Sequence, residues 1–202
     1  LFSADPELAA DLTDLFNVLT GFAQPAAYRK LIVAPRGMRD RFLSLIRREV
    51  EHARSDGTGH IIAKMNALVD PEIIAALYEA SDAGVEIDLL VRGICCLRPG
   101  VPGVSERIRV VSVVGRFLEH SRAFLFHNNG QEEAYIGSAD WMPRNLDRRI
   151  EAVVPVTDPV HRATVKHVLT LMLADNRQAW DLGPDGTWTP RHPGPDEPER
   201  AA

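Results

Sequence analysis

Two neighbouring runs decide the fold of this chain: FLEHSRAFLF at residues 117–126 and AYIGSADW at residues 134–141. Both runs are short, apolar and rich in aromatic or branched side chains, which is the composition of β-strands. The sequence Asn128-Asn129-Gly130 lies between them, and residues of this kind favour a tight turn. The three segments together predict an antiparallel hairpin within a larger sheet.

The polar residues of this hairpin predict a cluster at one of its ends. His120 and Arg122 are two residues apart, and alternate side chains of a strand point to the same face. The second strand ends in Gly137, Ser138 and Asp140, so the hairpin returns these groups to the neighbourhood of the imidazole. A single histidine is most often structural. A His-x-Arg pair followed by Gly-Ser-x-Asp at hairpin distance is more specific, and it predicts a site around His120.

Outside the hairpin, amphipathic helices alternate with short apolar strands. The spacing predicts helices at residues 5–19, 38–53, 70–83 and 159–177. It predicts strands at residues 30–35, 60–66, 85–92, 107–114, 122–127, 133–137 and 149–156. Alternation of this kind implies a mixed sheet flanked by helices, so we assign the chain to the α/β class. Residues 183–202 are rich in proline, glycine and charge, and they predict a flexible tail.

The charge of the chain is unevenly distributed. Its 202 residues carry a net charge of −5, which argues against general nucleic-acid binding. Residues 92–149 nevertheless contain nine arginines and six acidic residues, so this stretch is +3 and the remainder is −8. Arginine grips phosphate oxygens in pairs, whereas lysine acts as a point charge. No apolar run is long enough to span a bilayer, and we expect a cytoplasmic protein.

Arg92 is a second candidate for a functional side chain. It closes an apolar strand run at the point where Gly93 follows, and ligands of α/β sheets bind outside the ends of the strands. The glycine is expected to let the backbone turn sharply, which would aim the guanidinium into a crevice. A surface arginine at the end of a strand is the alternative interpretation, and composition does not separate the two.

The hairpin motif resembles a half-site of the phospholipase D superfamily. Such enzymes carry His-x-Lys and Gly-Ser-x-Asn, and here Arg122 stands in place of the lysine and Asp140 in place of the asparagine. The superfamily uses two copies of the motif that face each other, and this sequence contains one. The resemblance implies a phospholipase D-like mixed sheet flanked by helices.

A more extensive resemblance is to the carboxy-terminal domain of bacterial polyphosphate kinases, over residues 1–182. It rests on five strings in the same order and spacing: KMNALVD at 64–70, LVRGIC at 90–95, LEHSR at 118–122, SADWM at 138–142 and NLDRRIE at 145–151. The resemblance implies three parts: the end of a preceding domain with its connecting helix at 1–24, the catalytic domain at 25–182, and the tail at 183–202.

The resemblance also implies a function. Polyphosphate kinases transfer the terminal phosphate of ATP reversibly to polyphosphate through a phosphohistidine, with Mg²⁺ assisting. The phosphorylated histidine and most of the Mg²⁺ site are expected upstream of Leu1, so no metal ligands are expected in this chain. By the same resemblance His120 is the catalytic candidate, Arg92 and His120 contact ATP, and Arg149 faces a phosphate tunnel. Weaker candidates are Lys64, Asn66, Arg122 and Asp140.

Two other functions remain open on the sequence. A phospholipase D-like phosphodiesterase or nuclease could obtain its second motif from a homodimer, although Arg122 and the acidic net charge argue against it. A noncatalytic module could bind ADP, ATP or polyphosphate, or mediate assembly. The resemblance to polyphosphate kinases implies a homo-oligomer when the enzyme is complete, and the isolated chain is expected to be inactive.

Overall fold

The computed structural model describes residues 2–22 and 27–202. The helices are α1 Pro6–Leu19, α2 Met38–Asp56, α3 Pro71–Asp82 and α4 Pro159–Leu173. The strands are β1 Ile32–Ala34, β2 His60–Met65, β3 Glu86–Val91, β4 Ile108–Val113, β5 Arg122–Phe126, β6 Glu133–Gly137, β7 Glu151–Pro155, β8 Ala179–Leu182 and β9 Trp188–Pro190. A short turn of π-helix at Arg144–Arg148 precedes β7. The boundary proposed between residues 24 and 25 lies outside the described residues.

The strands form one mixed sheet in the order β1-β7-β6-β5-β2-β3-β4-β8-β9. Strands β2, β3 and β4 are parallel to one another, whereas the other neighbouring pairs are antiparallel. Strands β5 and β6 form the predicted hairpin, with Arg122 opposite Gly137 and Phe126 opposite Glu133. The predicted α/β class with a mixed sheet flanked by helices is therefore confirmed.

Three of the four described helices begin with the same type of cap. Asp5, Asp70 and Asp158 each precede a proline, and their carboxylates accept hydrogen bonds from amides of the first turn. Helix α2 is different, because it follows Gly37, which has a φ of 84° and offers no side chain as a cap.

Helices cover both faces of the sheet. Helices α2 and α3 pack with one face in the largest core, which includes Phe42, Phe124 and Trp141. Helix α4 packs on the other face, against apolar side chains of β2 to β6. Leu8 and Leu15 of α1 lie in a smaller cluster. Burial on both faces explains why the central strands have continuous apolar runs.

The end of the chain differs from the expectation of a tail without regular structure. Helix α4 ends at Leu173 and not at Arg177, because the Asp175 carboxylate accepts hydrogen bonds from three backbone amides between 177 and 179 and turns the chain into β8. Strand β8 pairs with β4, and β9 pairs with β8. The amide of Ala202 donates to Asp175 at 2.8 Å. The division of the chain into three parts stays a prediction.

Candidate functional site

The sheet brings most of the predicted site residues to one of its ends. Asn66 directly follows β2 and Arg92 directly follows β3, and these two strands are parallel, so both residues lie at the same edge. Strand β5 is antiparallel to β2 and begins at this edge with Arg122. Strand β6 ends there, three residues before Asp140. His120 precedes β5 and is not on the strand itself, which differs from the prediction.

Asp140 lies at the centre of a hydrogen-bond network. Its Oδ1 accepts from the Asn66 backbone amide at 2.7 Å and from Arg122 Nε at 3.0 Å, and its Oδ2 accepts from Arg122 Nη2 at 3.1 Å. The Asp140 side chain is 6% exposed and that of Arg122 is 12% exposed. A two-pronged guanidinium–carboxylate pair of this kind fixes the orientation of both groups. Asp140 therefore holds Arg122 in one position.

Arg122 in turn holds His120. Its Nη1 lies 2.9 Å from His120 Nδ1 and donates to the His120 carbonyl oxygen at 2.8 Å. The same Nη1 also lies 3.4 Å from His120 Nε2, so the guanidinium contacts the imidazole ring at both nitrogens. His120 is exposed, whereas the residues behind it are buried. The network thus holds an exposed imidazole beside a fixed guanidinium.

Arg92 joins the same network through Asn66. Its Nε donates to Asn66 Oδ1 at 2.9 Å, while the Asn66 amide group contacts Asp140 and the His120 carbonyl oxygen, each at 3.4 Å. Gly93 donates its amide to the Asn66 carbonyl oxygen, and a Cβ on Gly93 would lie 3.0 Å from that oxygen. The chain bends at Arg92 and Gly93 as expected, but Gly93 has no positive φ, so the glycine is needed for the close approach to Asn66.

Lys64 supports the segment that leads to His120. Its buried ammonium donates to the carbonyl oxygens of Glu119 at 3.3 Å and Ser121 at 3.1 Å. Burial lowers the pKa of Lys64, and nearby Glu119 opposes this effect. Glu119 is not among the residues predicted for the site, and its carboxylate lies 3.8 Å from the ammonium. No motif could have identified it, because the contact joins residues far apart in the chain.

Arg149 has different partners from the other predicted residues. It directly follows the π-helical turn, its side chain is 54% exposed, and its Nη1 lies 4.0 Å from Glu151 Oε1. Glu151 is buried and accepts hydrogen bonds from Ser138 and from Asn145. A buried carboxylate group thus stands behind Arg149. The contacts of Arg149 do not join it to the network around Asp140.

An aromatic cluster fixes the residue next to Asp140. Trp141 is fully buried between Phe42 and Phe124, with ring centroids at 5.3 and 5.2 Å. Its carbonyl oxygen accepts from the amides of Val69 at 2.9 Å and Asp70 at 3.0 Å, which ties the end of β6 to the start of α3. Asp140 is therefore held by packing as well as by hydrogen bonds.

The site combines cations with an exposed imidazole. Lys64, Arg92 and Arg122 surround one buried carboxylate, and His120 stands at the surface. This arrangement suits an anionic ligand with several oxygens. Among residues 2–22 and 27–202, no group of three or more His, Cys, Asp or Glu side chains could hold a metal ion. None of the described helices is long and apolar enough to cross a membrane.

The fold is similar to that of a phospholipase D family member. The chain resembles the solved structure of Nuc, a phospholipase D family member from Salmonella typhimurium, with a TM-score of 0.54 at 18% sequence identity. That alignment covers 76% of this chain and 97% of Nuc, and it indicates a shared fold.

Closer relatives define the family. Residues 31–202 match the model of the polyphosphate kinase C-terminal domain 2. The chain is 64% identical over 200 residues to a polyphosphate kinase of Thermosynechococcus vestitus, covering 99% of this chain and 27% of the relative. It is 54% identical over 192 residues to that of Streptomyces coelicolor, covering 95% of this chain and 26% of that relative. The chain belongs to the polyphosphate kinase family.

A solved structure from that family supports the fold in detail. The crystal structure of polyphosphate kinase from Porphyromonas gingivalis aligns with a TM-score of 0.94 and 43% identity, over 98% of this chain and 30% of that one. The resemblance that the five sequence strings indicate is therefore confirmed. The chain spans about a quarter of the length of the relatives described here.

Proposed function

We propose that this chain is part of an ATP:polyphosphate phosphotransferase and forms one wall of its nucleotide and polyphosphate site. The observation that carries the proposal is the continuous network Arg92–Asn66–Asp140–Arg122–His120 at one end of the sheet. It holds two guanidiniums and one imidazole in fixed positions around an exposed surface. Family membership supplies the substrate class, and the network supplies the side chains suited to it.

The proposed role of the two arginines is to neutralise phosphate charge. In phosphoryl transfer, negative charge spreads over the equatorial oxygens of the transferred group, and catalysis depends mainly on positioning and electrostatic stabilisation. Arg92 donates its Nε–H to Asn66 Oδ1, and its two terminal nitrogens are proposed to contact a ligand. Arg122 donates from Nε and Nη2 to Asp140 and contacts His120 through Nη1. It therefore acts mainly by holding the His120 ring in position.

The proposed role of His120 is to donate a hydrogen bond or a proton to a phosphate oxygen. Arg122 Nη1 contacts the ring at Nδ1 and at Nε2, which holds the exposed imidazole beside a fixed guanidinium. The donor contributes most as charge develops on that oxygen in the transition state. Arg149, on a separate segment, is proposed to contact polyphosphate further along its path.

Two parts of the chemistry are assigned to residues outside these 202. We propose that another histidine forms the phosphohistidine, because the Arg122 guanidinium lies against both ring nitrogens of His120. Mg²⁺ does not fit the network as it stands, because Asp140 is already bound by Arg122 and Asn66. Mg²⁺ ligands are therefore also assigned elsewhere. Homo-oligomer formation, a cytoplasmic location and the absence of nucleic-acid binding stay predictions.

A hybrid enzyme tests the proposal. The matching region of the Thermosynechococcus vestitus polyphosphate kinase is replaced by this chain, and ATP-dependent synthesis is measured. Arg92→Ala should raise KM for ATP and lower kcat, with kcat/KM falling by about ten- to a hundredfold for lost charge-assisted bonds. Arg92→Lys should restore only part of this, because the charge is kept and the fork is lost.

The matched control is Arg98→Ala, which removes an exposed arginine six positions away. It should leave both constants close to those of the hybrid. Unchanged constants in Arg92→Ala, with a normal melting temperature, would contradict the proposed role of Arg92. Equal losses of kcat/KM in Arg92→Ala and Arg98→Ala would show that the effect comes from overall charge and not from the position of Arg92.

A further inference from the structure

A second basic site lies at the opposite end of the sheet from the His120 network. A cavity of about 740 Å³ opens there between the starts of β1, β6, α2 and α4 and the end of β7. Strand β6 connects the two places, because Gly137 pairs with Arg122 and Glu133 pairs with Phe126. Glu133 and Gly137 are four positions apart along β6, which corresponds to a distance of about 13 Å. The cavity is thus distinct from the network.

The charged side chains around the cavity are mostly cationic. Five of them are basic, Arg29, Lys30, Arg36, Arg41 and Arg162, and one is acidic, Glu133. The carboxylate of Glu133 is already paired with Arg48 from outside the cavity, Oε1 lying 2.9 Å from Nη1. It also accepts from the Tyr135 hydroxyl at 2.7 Å. Arg48 therefore balances the charge of Glu133, and Glu133 also attracts Arg41 at the cavity wall.

Tyr135 adds no negative charge to the cavity. Burial raises the pKa of its hydroxyl to about 12, and the hydrogen bond to Glu133 contributes in the same direction. Arg41 also interacts with this hydroxyl. Its guanidinium therefore lies at the cavity wall beside a neutral, buried group.

Two of the basic side chains are partly engaged by helix α1. Arg29 Nη1 contacts Asp11 and Asp14, each at 3.0 Å, and Lys30 contacts Asp5 and Glu7. The other basic residues that line the cavity are Arg36, Arg41 and Arg162. Arg41 lies in the first turn of α2 and Arg162 in the first turn of α4, so they approach from two different helices.

The backbone at the start of α2 adds to the positive potential. The helix has 19 residues and begins after Gly37, which lines the cavity. Among the described residues no side chain caps its first amides. Uncapped amides at the positive end of a helix bind anions, and they favour phosphate oxygens in particular.

We infer that this cavity binds an inorganic phosphate chain, as a second polyphosphate site separate from the His120 network. Guanidiniums from two helices suit the paired oxygens of successive phosphates, and the volume is typical of a ligand pocket. The choice of polyphosphate as the ligand rests on the proposed function, whereas the presence of a basic cavity is independent of it. A second contact of this kind would hold a long chain while its end reacts elsewhere.

The test is binding of tripolyphosphate to the 202-residue chain by calorimetry at physiological salt, where the Debye length is about 8 Å. The double variant Arg41→Gln/Arg162→Gln should weaken binding at this site by about tenfold or more, since charge-assisted bonds are lost. The matched control Arg47→Gln/Arg54→Gln removes the same charge from exposed positions of α2 outside the cavity. It should change the affinity by less than about twofold, because exposed charges are screened.

A measurement on the unaltered chain accompanies the variants. Amide resonances of Gly37, Met38 and Arg41 should shift on addition of tripolyphosphate. Unshifted resonances, or equal losses in both double variants, would overturn the inference. If only an Arg92→Gln/Arg149→Gln variant lost tripolyphosphate binding, the inference about the cavity would be overturned. The proposed function would remain supported. Binding at the cavity with none at Arg92 and Arg149 would support the inference and count against the proposed function.

Discussion

Asp140→Asn is the substitution that probes the centre of the network most cleanly. Asparagine has nearly the same shape, and its carbonyl oxygen still accepts from the Asn66 amide and from Arg122 Nε. The second oxygen is replaced by an NH₂ group, which would face the Nη2 donor that now lies 3.1 Å from Oδ2. One charge-assisted bond is therefore lost, and the charge of Arg122 is left without its partner.

The magnitude follows from burial. A hydrogen bond to a charged group contributes about 1.5–3 kcal/mol, and breaking a buried ion pair costs about 3–5 kcal/mol. Asn keeps part of the bonding, and Arg122 is 12% exposed, so water compensates little. The free energy of unfolding should therefore fall by about 2–4 kcal/mol.

The assay is urea unfolding of the 202-residue chain, followed by circular dichroism. The control is Glu86→Gln, which neutralises a carboxylate paired with Arg107 where both side chains are more than half exposed. This change should cost about 0–1 kcal/mol. A loss below about 0.5 kcal/mol in Asp140→Asn, typical of a surface substitution, would refute the view that Asp140 anchors the site.

Two further predictions concern buried charge. Burial raises the pKa of Asp175, but four backbone amides, led by that of Ala202, outweigh it and lower the pKa below its ordinary value. The wild type should therefore lose stability more steeply than Asp175→Asn as the pH falls below about 4, measured by urea unfolding at several pH values; parallel curves would contradict this. Burial lowers the pKa of Lys64 from 10.5, so the wild type should gain stability relative to Lys64→Met as the pH approaches 10.5. A flat difference between the two proteins would show that the ammonium is not buried.

Local sequence signals predicted the frame of the fold well. Asp70 before Pro71 marks the start of α3, and the turn at Asn128–Gly130 sets the register of the hairpin. These features depend on neighbouring residues, which is why one sequence suffices to find them. The β8–β9 hairpin was missed because its strands are short and β8 is held by pairing with β4, far away in the chain.

The composition of the site was predicted better than its internal order. The sequence suggested His120, Arg122 and Asp140 as neighbours, and the structure joins them by hydrogen bonds. It did not indicate that Asp140 occupies the centre, or that Lys64 supports the segment before His120 through backbone carbonyls. Side-chain contacts with carbonyl oxygens leave no trace in residue type, so a motif cannot reveal them.

The most direct test of the account is the turnover of the hybrid enzyme with His120→Ala. The account predicts that kcat falls by about 100- to 10,000-fold, the usual contribution of a general acid, while KM for ATP and the melting temperature change little. The 202-residue chain alone should make no polyphosphate from ATP and Mg²⁺. Near-normal turnover in folded His120→Ala, or inactivity that only follows unfolding, would show that His120 is a structural histidine.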